Sequence, residues 1–167
     1  MKTSVEIKLN GAPVTKQIGA ETTLLEFIRE HTSIKSAHRG CEEGECGACT
    51  VLIDGEPVCA CLILAVQAQG CDVLTLEGLI KGEETHPLIQ SFLDHHASQC
   101  GYCSPGMIMT AYAFISSSSD LRDAAIRKAL EGNLCRCTGY VNILKAVKEA
   151  IGVLKPEAAG RQKVEDK

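Results

Sequence analysis

Polar and apolar positions alternate from the start of the chain. Val5, Ile7 and Leu9 share one face of a strand, Asn10-Gly11 is a hairpin turn signal, and the segment from Val14 to Ile18 returns. Thr22 stands where an N-cap is expected, ahead of a helix over 23–31 that turns Leu24, Leu25, Phe27 and Ile28 inward. Thr50 to Ile53 and Glu56 to Cys61 flank Asp54-Gly55, a second hairpin signal, and "CDVLTLEGL" supplies one more short strand.

From about Glu77 the period becomes helical. Pro87 sits where a first turn begins, followed by the stripe Leu88, Ile89, Phe92 and Leu93. Ser104-Pro105 reads as cap and first residue of the next helix, with Ile108, Ala111 and Ile115 on one side. "SSSSD" reads as a linker whose Asp120 caps a third helix carrying Ile126, Ala129 and Leu130, closed by Gly132. A fourth helix is expected from about Tyr140, with Leu144, Val147 and Ile151. Past Lys155 the polar "PEAAGRQKVEDK" is expected to be a disordered tail.

Composition narrows the options. Apolar residues make up 45% of the 167 positions but aromatics only 4%, and small cores short of aromatic bulk often need a metal or disulfide staple. Ten cysteines supply the means. The opening "MKTSVEIKLNGAPV" has no apolar core of an export signal and no twin arginine, and no stretch reaches the apolar length of a membrane span. A cytoplasmic location is therefore expected, where thiols stay reduced and clustered cysteines favour metals. A net charge of −4 leaves no basic footprint for nucleic acid, and neither a P-loop nor GxGxxG is present.

Cys41-x4-Cys46-x2-Cys49 with a later cysteine is the plant-type ferredoxin spacing for a [2Fe–2S] cluster. Gly40, Gly44 and Gly47 let the loop curl and aim N–H groups at an anionic cluster, while Glu42, Glu43 and Glu45 are expected to face solvent. Two cysteines compete for the fourth position. A two-residue turn at Asp54-Gly55 sets Ile53 opposite Glu56, Thr50 opposite Cys59 and Ala48 opposite Cys61. Cys59 then lies about 6.6 Å nearer the turn, which favours Cys61 as ligand and leaves Cys59 as a small buried hydrophobe, although one bulge would shift this register. Structural zinc is the alternative, usually built from two short C-x2-4-C knuckles.

A second set follows: Cys100-x2-Cys103 in "QCGYCSPGMIM" and Cys135-x1-Cys137 in "GNLCRCTGYVNI". Each pair precedes an expected helix, so two helix N-termini would point at one anionic group. This favours iron–sulfur chemistry, with zinc again the alternative. His95-His96 has no accompanying Cys-x-His pair of the Rieske kind and reads as an exposed helix end.

Taken together, "GCEEGECGACTV", "CGYCSPGM" and "GNLCRCTGY" closely resemble the iron–sulfur subunit of the molybdenum hydroxylases, the xanthine oxidase family, over about Val5 to Ile151. The resemblance implies an α+β fold with a plant-ferredoxin-like β-grasp domain over 1–77, an all-α four-helix domain over 78–154 and a tail over 155–167. It implies two [2Fe–2S] clusters, one on Cys41, Cys46, Cys49 and Cys61, the other on Cys100, Cys103, Cys135 and Cys137. Gln99 and Cys137 would contact the molybdopterin of a large partner subunit, and an FAD would sit on a medium subunit, in a dimer of heterotrimers. The implied function is an electron relay from molybdenum towards FAD or another acceptor, with no substrate-converting residue on this chain. The competing reading is a free-standing double [2Fe–2S] carrier. Cys59 and Cys71 are extra thiols with no assigned role.

Overall fold

A computed structural model describes residues 2–156. Strand β1 (Lys2–Leu9) pairs antiparallel with β2 (Ala12–Gly19) through Asn10 at φ 51° and Gly11 at φ 85°. Strand β3 (Thr50–Ile53) pairs with β4 (Glu56–Cys59) through Asp54 at φ 51° and Gly55 at φ 91°. Positive φ at both central positions matches the twist of the strands they join, which is why Asn-Gly and Asp-Gly serve there. Strand β5 (Asp72–Leu74) ties the hairpins together, parallel to β1 and antiparallel to β3, in the order β2-β1-β5-β3-β4.

Helix α1 (Leu24–His31) seals the sheet from one side, burying Leu24, Leu25, Phe27 and Ile28 with Val5, Ile7, Val51 and Val73. Full burial of each such side chain contributes about 1.5–3 kcal/mol. Its cap is Thr23, one residue later than expected. The Thr23 hydroxyl accepts from the Glu26 amide at 3.1 Å, while the Glu26 carboxylate accepts from the Thr23 amide at 2.8 Å. Of the two adjacent threonines only Thr23 has a glutamate three residues on, so only it closes the reciprocal pair. That pair, through the Thr23 amide and then its hydroxyl, also lowers the Glu26 pKa.

A short 3-10 turn over Leu76–Leu79 leads into α2 (Pro87–Asp94), α3 (Ser104–Ser117), α4 (Asp123–Ala129) and α5 (Val141–Leu154). A second core gathers Leu88, Phe92, Met107, Met109, Ile126, Ile143 and Val147 around α3. Strand β3 belongs to both cores, because alternate side chains leave opposite faces: Val51 joins the first and Leu52 the second.

Two further expected caps move. Cys103 holds the N-cap position of α3, and the Ser104 hydroxyl donates instead to Ser98 Oγ at 2.8 Å. Helix α4 begins at Asp123 because the Asp120 carboxylate is taken by Arg122, through its amide at 3.1 Å and its guanidinium at 2.8 Å and 2.9 Å. His95 does end α2, where its ring pairs with Glu149. Among the described residues no helix is long and apolar enough to cross a membrane. The expected tail lies outside the described residues from position 157 onward.

Candidate metal centres

Between α1 and β3 the chain runs irregularly and presents Cys41, Cys46 and Cys49. The Cys41 sulfur accepts from the amides of Glu43 and Cys46, each at 3.4 Å. These donors, Glu43 first, bring its pKa down to about 7, towards the thiolate that metals bind. Glu42, Glu43 and Glu45 face solvent as expected. Arg39, just upstream, spends its guanidinium on Glu42 at 2.7 Å and Glu30 at 3.0 Å. Amides therefore supply the positive field at Cys41.

The β3–β4 register sets Thr50 opposite Cys59, as the turn length implies. The ladder then stops. The Ala60 amide makes a last bond to the Cys49 carbonyl at 3.4 Å, and Ala60–Leu62 close into a 3-10 turn. Cys61 is thus not opposite Ala48 on a continued strand; it reaches Cys49 by way of the turn. Burial pushes the Cys61 thiol up to about 11, while the Gly44 amide donates to its sulfur and opposes the rise. Cys59 also hydrogen-bonds to Cys49, which pushes the Cys49 pKa up and draws that of Cys59 down, and its thiol donates to the Gly44 carbonyl at 3.6 Å. The loop and hairpin bring all five thiols of this stretch together.

Cys100 and Cys103 lie at the entry to α3, and Cys135 and Cys137 precede α5. The Cys137 and Cys100 sulfurs are 3.5 Å apart, and Cys103 hydrogen-bonds with Cys135. The Tyr102 amide lowers the pKa of Cys100, whereas burial pushes Cys103 up to about 12. At Cys135 burial acts upward but is outweighed by the Thr138 hydroxyl, 3.1 Å from the sulfur, and by amides, so the pKa falls. Two fourteen-residue helices direct their positive ends to this side. Gln99, Cys100 and Cys137 are exposed.

The two thiol sets adjoin. The Leu134 amide donates to the Cys46 carbonyl at 2.9 Å, and Asn133 Nδ2 donates to the Gly47 carbonyl at 3.1 Å. Gly47, at φ +66°, leaves no room for a side chain, since a Cβ there would stand 2.4 Å from Asn133 Nδ2 and from the Gly132 carbonyl. His38 stacks on Tyr102 with ring centroids 4.5 Å apart. Its Nδ1 lies 2.7 Å from the Tyr102 carbonyl, which only accepts, so that nitrogen carries the hydrogen. The Tyr102 hydroxyl donates back to the Arg39 carbonyl at 2.6 Å. A cavity of about 260 Å³ opens at this junction, with Cys46 and Ala48 on one wall and Cys100, Cys103, Leu134 and Cys137 on the other. None of Asn133, His38 or Tyr102 stood out in the sequence, where position beside a cysteine motif was their only signal, and Tyr140 stood out only as a helix start.

The donor chemistry fits binuclear clusters. The thiols associate as pairs: Cys41 with Cys46, Cys49 with Cys61 and its neighbour Cys59, Cys100 with Cys137, and Cys103 with Cys135. Two irons sharing two sulfides need such pairs, whereas zinc needs four donors about one point. Among the described residues no three His, Cys, Asp or Glu side chains converge on a single-ion position. Thiolates served by N–H donors also suit a group that carries net negative charge.

Comparison with known proteins gives the same chemistry. Residues 7–74 match the family described as 2Fe-2S iron-sulfur cluster binding domain, and residues 75–148 match the [2Fe-2S] binding domain. The nicotinate dehydrogenase small FeS subunit of Eubacterium barkeri is 44% identical, with 90% of this chain and 96% of that one covered. The caffeine dehydrogenase subunit gamma of Pseudomonas sp. (strain CBB1) is 42% identical, with 86% and 88% covered. The crystal structure of quinoline 2-oxidoreductase from Pseudomonas putida 86 contains a chain that superposes with a TM-score of 0.87 at 40% identity, covering 96% of this chain and 97% of that chain.

Proposed function

Since the chain belongs to the iron–sulfur subunits of the molybdenum hydroxylases, the xanthine oxidase family, we propose that Cys41, Cys46, Cys49 and Cys61 hold one [2Fe–2S] cluster and Cys100, Cys103, Cys135 and Cys137 the other. The chain is the electron-transfer subunit of an oxidoreductase complex. When bound, the two clusters supply one-electron redox steps between the molybdopterin centre and the next acceptor. The protein's residues contribute two thiolate cages, amide donors that offset negative charge, and a fixed separation.

The choice of Cys61 rests on which group of Gly44 each sulfur meets. The Cys61 sulfur accepts the Gly44 amide, as a metal-bound thiolate does. The Cys59 sulfur instead lies 3.6 Å from the Gly44 carbonyl, an oxygen that can offer a metal-bound thiolate no hydrogen bond. In this reading the first cluster belongs to a β-grasp domain over 1–77, and the second to a four-helix domain over 78–154. The exposed face at Gln99, Cys100 and Cys137, bordered by Tyr102 at 47% and Leu134 at 56% exposure, receives the large subunit and its molybdopterin. A medium subunit carries FAD, the assembly is a dimer of heterotrimers, and it works in the cytoplasm.

Native purification tests this assignment. Co-migration of the chain with a larger molybdenum-containing subunit is expected. A lone chain carrying its full iron, with no molybdenum in any associated fraction, would point instead to a free-standing carrier.

A further inference from the structure

Between the two cages runs a continuous connection of covalent and hydrogen bonds, and one buried side chain holds it closed. The Cys46 carbonyl accepts the Leu134 amide at 2.9 Å, and Leu134 is followed directly by Cys135. One hydrogen bond thus joins the backbone of a first-cage cysteine to that of a second-cage cysteine. No shorter covalent route exists, because Cys46 and Cys135 are far apart in sequence.

Asn133 anchors the Leu134 side of that bond to a Gly47 carbonyl that Thr50 already holds through its hydroxyl at 2.7 Å. It is 3% exposed, and its Nδ2 donates to the Gly47 carbonyl, one peptide on from the Cys46 carbonyl. Its own carbonyl accepts the Tyr140 hydroxyl at 3.3 Å, and that hydroxyl accepts the Cys135 amide at 2.8 Å. Tyr140 is itself held at φ 67° ahead of α5, with its amide bonded to Thr138 Oγ1 at 3.1 Å. The network therefore runs from the Gly47 peptide through Asn133 and Tyr140 to Cys135. On the opposite side Gly106 of α3 lies so close that a Cβ would meet the Gly47 carbonyl at 2.1 Å. The Gly47 peptide is gripped from two directions, and its neighbour Cys46 is left one productive position.

We infer that Asn133 is a positioning residue for electron transfer between the two clusters, holding the Cys46–Leu134 hydrogen bond that couples them. The inference rests on the two-cluster reading above. The partners of Asn133 are the Gly47 carbonyl, the Tyr140 hydroxyl and the Leu130 carbonyl rather than a cysteine sulfur, so it acts through the peptide next to Cys46. The Gly47 carbonyl is already held from its own side by the Thr50 hydroxyl at 2.7 Å and the Thr50 amide at 3.2 Å, so without Asn133 it is the 133–135 segment that loses its anchor, and the Leu134 amide shifts away from the Cys46 carbonyl.

The test uses the native complex carrying Asn133→Ala, and a second variant, Asn133→Ser, which retains a shorter hydroxyl donor. Both are fully reduced with dithionite and examined by low-temperature EPR, with iron counted per chain. Two cluster signals report that both cages are filled, independently of the inference. Spin–spin splitting between those signals reports the distance and relative orientation of the two clusters, which is what a positioning residue sets. The expected result is two signals at full iron content, with the splitting altered in Asn133→Ala and returned towards the wild-type value in Asn133→Ser. Two signals with wild-type splitting in Asn133→Ala would overturn the inference and leave the two-cluster reading standing. Loss of a cluster from both variants would also overturn it, by making Asn133 a folding residue only. A single signal in the wild-type complex would defeat the two-cluster reading itself.

Discussion

Replacing Gly106 by alanine probes the junction with the smallest possible group. Gly106 lies in the first turn of α3, is buried, and does not hold a left-handed backbone. Alanine therefore carries no conformational penalty and gains about 1 kcal/mol of helix propensity. The added methyl, however, would sit 2.1 Å from the Gly47 carbonyl oxygen and 3.1 Å from its carbon, where ordinary contact begins at 3.4 Å. The obstacle is backbone, so the first-cage loop and α3 must separate by about 1.3 Å. Overpacking of this kind costs about 1–3 kcal/mol. The net expectation is a loss of about 0–2 kcal/mol, small for the fold but concentrated on the peptide beside Cys46. The assay pairs thermal unfolding of the native complex with the EPR line shape of the cluster held by the loop. A modest drop in Tm should accompany a clear change in that line shape. An unchanged spectrum with an equal or higher Tm would refute the reasoning, because it would mean that loop and helix part at no cost.

Other expected outcomes follow from the same geometry. Cys61→Ser should reduce iron from about four to about two per chain, while Cys59→Ser should retain both clusters; equal losses would show the Gly44 argument to be wrong. Thr23→Ala breaks the reciprocal cap of α1 and should lower stability by about 1 kcal/mol with both EPR signals intact; chemical denaturation of the complex measures it. Acidification should speed cluster loss. Burial holds Cys61 and Cys103 protonated when the cages are empty, with pKa values of about 11 and about 12, so cluster binding expels their protons and weakens as pH falls. Cys41, at about 7, joins this competition only below neutrality. Bleaching half-times followed from about pH 9 to about pH 6 should shorten steadily, and pH-independent bleaching would contradict the linkage.

Local rules made much of this molecule legible in advance. Asn10-Gly11 and Asp54-Gly55 fixed both hairpin registers, and the stripes of α1 and α5 face the cores as their periodicity implies, as do Leu88, Ile89 and Phe92 of α2, whereas Leu93 of the expected α2 stripe is exposed. The Cys59 register was likewise set by turn length. Extrapolation failed just past it, since period-two reasoning assumes a ladder that continues and nothing local marks the 3-10 turn at Ala60. Caps slipped where two candidates adjoined, as at Thr22 and Thr23, or where a side chain had a stronger nearby partner, as Asp120 has in Arg122. The junction between cages was illegible for a different reason. Asn133 meets Gly47 across 86 positions, and His38 meets Tyr102 across 64, so neither contact leaves a periodic trace.

The central claim is that this chain carries two binuclear cages and nothing mononuclear. A low-temperature EPR spin count on the dithionite-reduced native complex, referred to chain concentration, addresses it most directly. Two distinguishable S = 1/2 signals of about one spin each per chain are predicted. A single signal from protein at full metal content, or a colourless zinc-loaded protein with none, would contradict it.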